Sequence, residues 1–76
     1  MTDQEWINIF GDNLVDILHD AKMTQRELAD AAGLSESTIS DYIHKRKMAG
    51  IKAVINIAYA LDCEISDLID FGDMIF

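Results

Sequence analysis

No proline interrupts the 76 residues, and only four glycines do. Proline breaks helix interiors and each glycine weakens them by up to about 1 kcal/mol. Their scarcity excludes collagen-like and Pro/Gly-rich disordered chains. Alternating β-branched stretches are also few. The expectation is therefore an all-α chain. The single cysteine excludes an intramolecular disulfide and suits a reducing cytoplasm. The two histidines lie far apart in sequence, no Gly-rich phosphate loop is present, and no metal-ligand spacing occurs. These absences speak against an enzyme, and no cofactor, metal or small-molecule ligand is expected. No apolar run approaches the ~20 residues of a membrane span. No basic stretch followed by an apolar run and a small-residue cleavage site opens the chain. The expected location is the cytoplasm, with no membrane partner. Basic residues are scarce too, six against fourteen acidic, for a net charge of −8.

What is present is a chain that is half apolar, enough for one small core. We read residues 1–76 as a single domain. The helix 1 region spans 1–22, the central segment with its basic loop 23–47, and helix 4 spans 51–61. Helix 5 and an apolar tail span 64–76.

The central segment, Met23 to Lys47, organises the rest. Leu28, Ala29 and Ala32 line one face of a short helix from Gln25 to Ala32. Thr24 caps it, and Glu27 three residues on completes a capping box. Gly33 follows where the chain needs a positive φ. Leu34 plugs the corner. Ser35 caps a second helix from about Glu36 to His44, and Glu36 places an acid in its first turn, where the macrodipole favours it. Ile39 and Ile43 face inward, and the side chains between are short and hydrogen-bonding. Ala29 is small enough for the second helix to cross close. Two helices joined by a short Gly-containing turn form a helix-turn-helix, whose second helix can enter a DNA major groove.

The stretches Thr24-Gln25-Arg26-Glu27-Leu28-Ala29, Gly33-Leu34-Ser35 and Thr38-Ile39-Ser40, with Tyr42, resemble the lambda-repressor and Cro-like helix-turn-helix family of DNA-binding transcriptional regulators. Lys45-Arg46-Lys47 is similar to that family's basic loop, and Ala58 to Ile69 to its fourth and fifth helices. The resemblance covers roughly Leu14 to Ile69. It implies a compact five-helix lambda-repressor-like domain with helices 2 and 3 as the motif. Gln25 would then reach a DNA phosphate and support the reading helix, with Thr24 beside it.

On the second helix of the motif, Glu36, Ser37, Thr38, Ser40 and Asp41 are the candidate base readers. Ser and Thr can meet several base edges, whereas ionised Glu36 and Asp41 only accept, which makes cytosine N4 their target. Asp41 departs from the family, which often has a basic or amide residue there. Tyr42 has two readings: its hydroxyl meets a phosphate, or its ring packs beneath the loop. Lys45 stands where a helix-ending glycine is expected and should take a left-handed backbone. Lys45, Arg46 and Lys47 are the candidate phosphate anchors, the last two with no competing structural duty in the sequence. His44 reads as a surface residue.

In the first helix, Ile7, Phe10, Leu14, Ile17 and Ala21 recur at helical spacing, widened by Leu18. Gly11 interrupts that pattern. Trp6 and Ile9 lie off the stripe, either half-buried at its edge or facing a partner. Asp12, Asp16 and Asp20 form a solvated acidic ridge. Helix 4 is apolar on more than one face and reads as the buried centre of the domain, with Ile51, Val54, Ile55, Ile57, Ala58 and Leu61 inward. Asn56 points outward, and Cys63 reads as a small buried hydrophobe. Leu68 and Ile69 face inward from helix 5. Phe71, Met74, Ile75 and Phe76 give the tail a hydrophobic end, read as a homodimer interface.

The charge is unevenly spread. Residues 1–22 carry five acids and one base, residues 23–50 four of each, and residues 51–76 five acids and one base. The only dense basic cluster thus lies beside the candidate reading helix. Two functions fit. One is a sequence-specific, double-stranded-DNA-binding regulator, a phage- or plasmid-type repressor acting as a homodimer. The other is a protein-interaction module of antitoxin or anti-regulator type, whose acidic surface meets a basic partner.

Overall fold

Apolar residues spaced three and four apart give five helices in the computed structural model, which describes residues 2–69. They are α1 (Asp3–Ala21), α2 (Gln25–Ala32), α3 (Glu36–Ile43), α4 (Ile51–Ala60) and α5 (Ile65–Leu68). No strand occurs among the described residues. α3 packs on α1 and α2, α4 on α2, and the one-turn α5 bridges α1 and α4. The core is built from Phe10, Leu14 and Leu18 of α1, Leu28 and Ala29 of α2, Ile39 and Tyr42 of α3, Val54 and Ile57 of α4, and Leu68.

Local chemistry sets most boundaries. Thr2 and Glu5 exchange capping bonds at the start of α1. At α2 the Glu27 N–H donates to Thr24 Oγ1 at 3.0 Å, and the Thr24 N–H donates to Glu27 Oε1 at 2.9 Å. Each box satisfies two donors that a helix start would otherwise leave open. The Ser35 hydroxyl accepts from the Thr38 N–H at 3.1 Å. Gly33 ends α2 with φ +70°, and the Leu34 N–H donates to the Ala29 carbonyl at 2.9 Å, turning the chain into α3. The expected left-handed residue at Lys45 is present with φ 61°.

Two expectations need correction. The buried stripe of α1 is Phe10, Gly11, Leu14 and Leu18, whereas Ala21 is exposed. Position 21 is the last residue of the helix, beyond the reach of the helices that cover its middle. Trp6 takes the expected place at the edge of the stripe, half-buried and stacked on Phe10, with centroids 6.4 Å apart and planes at 18°. The second correction concerns α4. Val54, Ile57 and Ala58 are buried, but Ile51 is 68% and Ile55 46% exposed. Only α2 and α5 pack closely on α4, so its remaining face is uncovered. Helix 5 is also shorter than the sequence implied. The tail residues Phe71, Met74, Ile75 and Phe76 lie outside the described residues, as does any interface built on them.

Candidate nucleic-acid interface

Because α3 turns 100° per residue, Ile39 and Tyr42 point into the core, and Ser37, Ser40, Asp41 and His44 share the opposite face. Glu36 and Ser37 are exposed, and Ser40 and Asp41 half-exposed. Four of the five expected base readers therefore meet solvent on or beside one surface. Thr38 is turned further toward the core side, and its hydroxyl lies 2.8 Å from that of Ser35. The cap thus engages a group that the sequence offered to the groove. His44, read from sequence as mere surface, belongs to the outward face. It lies seven residues after Ser37, and that spacing was the signal available. Its Nδ1 is held by the Ser40 carbonyl at 2.8 Å.

Tyr42 takes the packing duty. It is 4% exposed and meets the Phe10 ring edge-on, centroids 5.7 Å apart at 85°. Burial, with the charge of Asp41 beside it, raises its hydroxyl pKa above the ordinary value, so the group stays neutral. This removes the ring from the phosphate-facing surface that the sequence reading allowed it.

The basic loop is more engaged than its sequence implied. Lys45 Nζ is 2.7 Å from Asp12 Oδ1, so one member of the expected solvated ridge is an ion-pair partner. Arg46 folds back along α3. Its Nε donates to Asp41 Oδ1 at 3.0 Å, its Nη2 to Ser40 Oγ at 3.4 Å, and its backbone N–H to the Asp41 carbonyl at 2.8 Å. Arg46 therefore has a structural duty, contrary to the sequence reading, and it lies against two candidate base readers. Lys47 is exposed and makes no ion pair among the described residues. Both pairs are solvent-exposed in large part. Exposed pairs contribute only about 0.2–1 kcal/mol, so a phosphate can displace the carboxylates at small cost.

Gly11 positions this loop. A Cβ there would lie 2.8 Å from the Tyr42 carbonyl oxygen and 3.3 Å from Lys45 Cγ. The residue lets α1 approach the end of α3 where Lys45 crosses to Asp12. Gln25 opens α2, half-exposed, and lines a groove of about 330 Å³ with Thr24, Val15, Met23 and Ile43.

Among the described residues, no group of His, Cys, Asp and Glu is placed to hold a metal ion. No helix among the described residues is long and apolar enough to cross a membrane. Cys63 is half-buried against the core. Burial, with Asp67 and Asp62 nearby, raises its thiol pKa, which leaves it a poor nucleophile.

The sequence profile of the Cro/C1-type HTH DNA-binding domain matches residues 13–73. The chain belongs to this family. The match takes in the helix-turn-helix, the basic loop, α4 and α5. Two solved structures share the fold. The restriction-modification controller protein C.AhdI from Aeromonas hydrophila superposes with a TM-score of 0.79 at 24% identity, over 82% of this chain and 94% of that one. The SOS-response transcriptional repressor LexA from Eubacterium rectale gives 0.82 at 24% identity, over 100% of this chain and 81% of that one. At such identity these likenesses speak for the fold. No curated protein sequence matches the chain. The resemblance drawn over roughly Leu14 to Ile69 is thus upheld, and this Cro/C1-type domain is a DNA-binding unit of transcription regulation.

Proposed function

We propose that the domain is a repressor that reads one duplex sequence through α3. The reading rests on a single arrangement. The outward face of α3 offers short hydrogen-bonding side chains, and the only dense basic cluster of an acidic chain adjoins its end. Ser37, Ser40, Asp41 and Glu36 read base edges, with Thr38 contributing its methyl group at the margin. Lys47 is the principal phosphate anchor. Lys45 joins it by exchanging Asp12 for a phosphate, and Thr24 and Gln25 contact the backbone from the start of α2. Arg46 is a positioning residue. By occupying Asp41 Oδ1 it leaves the second carboxylate oxygen to accept from cytosine N4 and offsets the charge that would repel the duplex. Repressors of this kind act as dimers on paired half-sites about 34 Å apart, and a phage- or plasmid-type role fits so small a domain.

Selection of bound sequences from a random duplex pool tests the proposal. An enriched motif whose preferred bases change in Ser37→Ala supports it. A pool that stays unenriched at low salt counts against it. It would favour the second reading, a module that binds a basic protein, for which the net charge of −8 and the two engaged cations speak.

A further inference from the structure

His44 caps the end of α3, exposed on its outward face, and its ring has a fixed setting. Nδ1 lies 2.8 Å from the Ser40 carbonyl oxygen and 3.2 Å from the Ser40 hydroxyl. A carbonyl oxygen only accepts, so Nδ1 carries a proton and donates it. That bond fixes the tautomer, and Nε2 makes no hydrogen bond among the described residues. With one proton on the ring, Nε2 holds a lone pair and can only accept. Phosphate oxygens also only accept, so the neutral ring offers the DNA backbone no donor. A second proton turns Nε2 into a charged donor, and Nδ1 keeps its bond to Ser40.

The charged groups around the ring are already matched. Asp41, on the same face, pairs with Arg46, and Lys45, next in the chain, pairs with Asp12 of α1. α2 packs against the inner side of α3, away from the imidazole. Lys47, the exposed cation of the loop, lies three residues on. We propose that His44 is a further phosphate-contacting residue and that its contact needs the second proton, so the domain takes up one proton as it binds duplex. The inference rests on the DNA reading above. A bound phosphate favours the charged ring, so the complex holds the proton to higher pH than the free domain does. Affinity therefore rises as pH falls through the imidazole range, from about pH 8 to about pH 5.5, and levels off once the free ring is charged.

Binding of the full chain to a fixed mixed-sequence duplex, followed over that range at constant salt, tests it. Wild type is expected to bind about tenfold more tightly at the acid end, with a log–log salt slope steeper there by about one unit. His44→Gln places a neutral amide donor at the same position. Its affinity is expected to be nearly independent of pH and to lie between the wild-type extremes, and random-pool selection with it should return the wild-type motif. His19, in the last turn of α1, is the only other histidine, and His19→Gln is expected to keep the wild-type profile. A wild-type affinity that does not change with pH overturns the proposal and leaves the DNA reading standing. A pH dependence that survives in His44→Gln also overturns it, because another group then takes up the proton. New preferred bases in that variant would make His44 a base reader and overturn it as well. Absence of duplex binding at every pH overturns both the proposal and the DNA reading.

Discussion

Gly11 shows how one side chain's absence sets the geometry of the interface. By helix propensity, alanine should be the better residue by up to about 1 kcal/mol. The structure reverses that sign, because the added Cβ would meet the Tyr42 carbonyl at 2.8 Å, and a backbone atom at the end of a packed helix cannot swing away. Gly11→Ala is therefore expected to destabilise the domain by about 1–3 kcal/mol, as overpacking does. A urea titration checks it, and an unchanged or higher midpoint refutes it. Asp41 and Arg46 make a second case. Asp41→Asn removes the charge that holds Arg46 and repels phosphate. Affinity for duplex should rise at low salt, and the log–log salt slope should steepen by about one unit as Arg46 becomes free to meet a phosphate. Lys47→Ala should flatten the slope by about one unit with no change in preferred sequence. Equal slopes in wild type and both variants would rule out backbone contacts by this loop.

At the scale of the element, α2 depends on its capping box. The Thr24 backbone N–H, then its hydroxyl, hold the Glu27 carboxylate pKa below its ordinary value of 4.5. A group whose folded pKa is depressed adds stability that is complete above its unfolded pKa. That stability is lost as pH falls through the folded value. Glu5 in the box of α1 behaves alike, through the backbone and then the side chain of Thr2. The acid limb of a stability–pH profile should thus begin below about pH 4.5. Glu27→Gln keeps a side chain that can accept the bond and should make that limb shallower, leaving stability near neutrality little changed. An identical limb in wild type and variant would show that the box does not sense pH.

The whole molecule carries a net −8 on a small body, with the acids toward the two ends of the sequence and the basic loop between them. Self-repulsion opposes the compact state, and counterions screen it over about 10 Å at 0.1 M. Raising salt from about 10 mM to about 150 mM should therefore raise the melting temperature while weakening duplex binding. The two trends have opposite signs because one screens repulsion within the protein and the other removes the advantage of releasing counterions from DNA. A melting temperature that falls over this range would mean that the ion pairs at Lys45 and Arg46 outweigh the general repulsion.

Local order alone determined the helix-turn-helix. The box at Thr24 and Glu27, the cap at Ser35, the left-handed turn at Gly33 and the left-handed backbone at Lys45 were all legible, because each depends on residues within four positions of one another. Those same patterns carried the family, and with it the outward face of α3. Contacts between distant segments were not legible. Nothing near Asp12 in sequence points to Lys45, thirty-three residues on, and nothing near Gly11 announces the Tyr42 carbonyl. Asn13 likewise donates to the Leu68 carbonyl at 2.9 Å across fifty-five residues. The apolar richness of α4 was plain, yet its burial was overestimated at Ile51 and Ile55. Hydrophobicity states that a face gains by being covered, but only the arrangement of the other helices decides whether one is there to cover it.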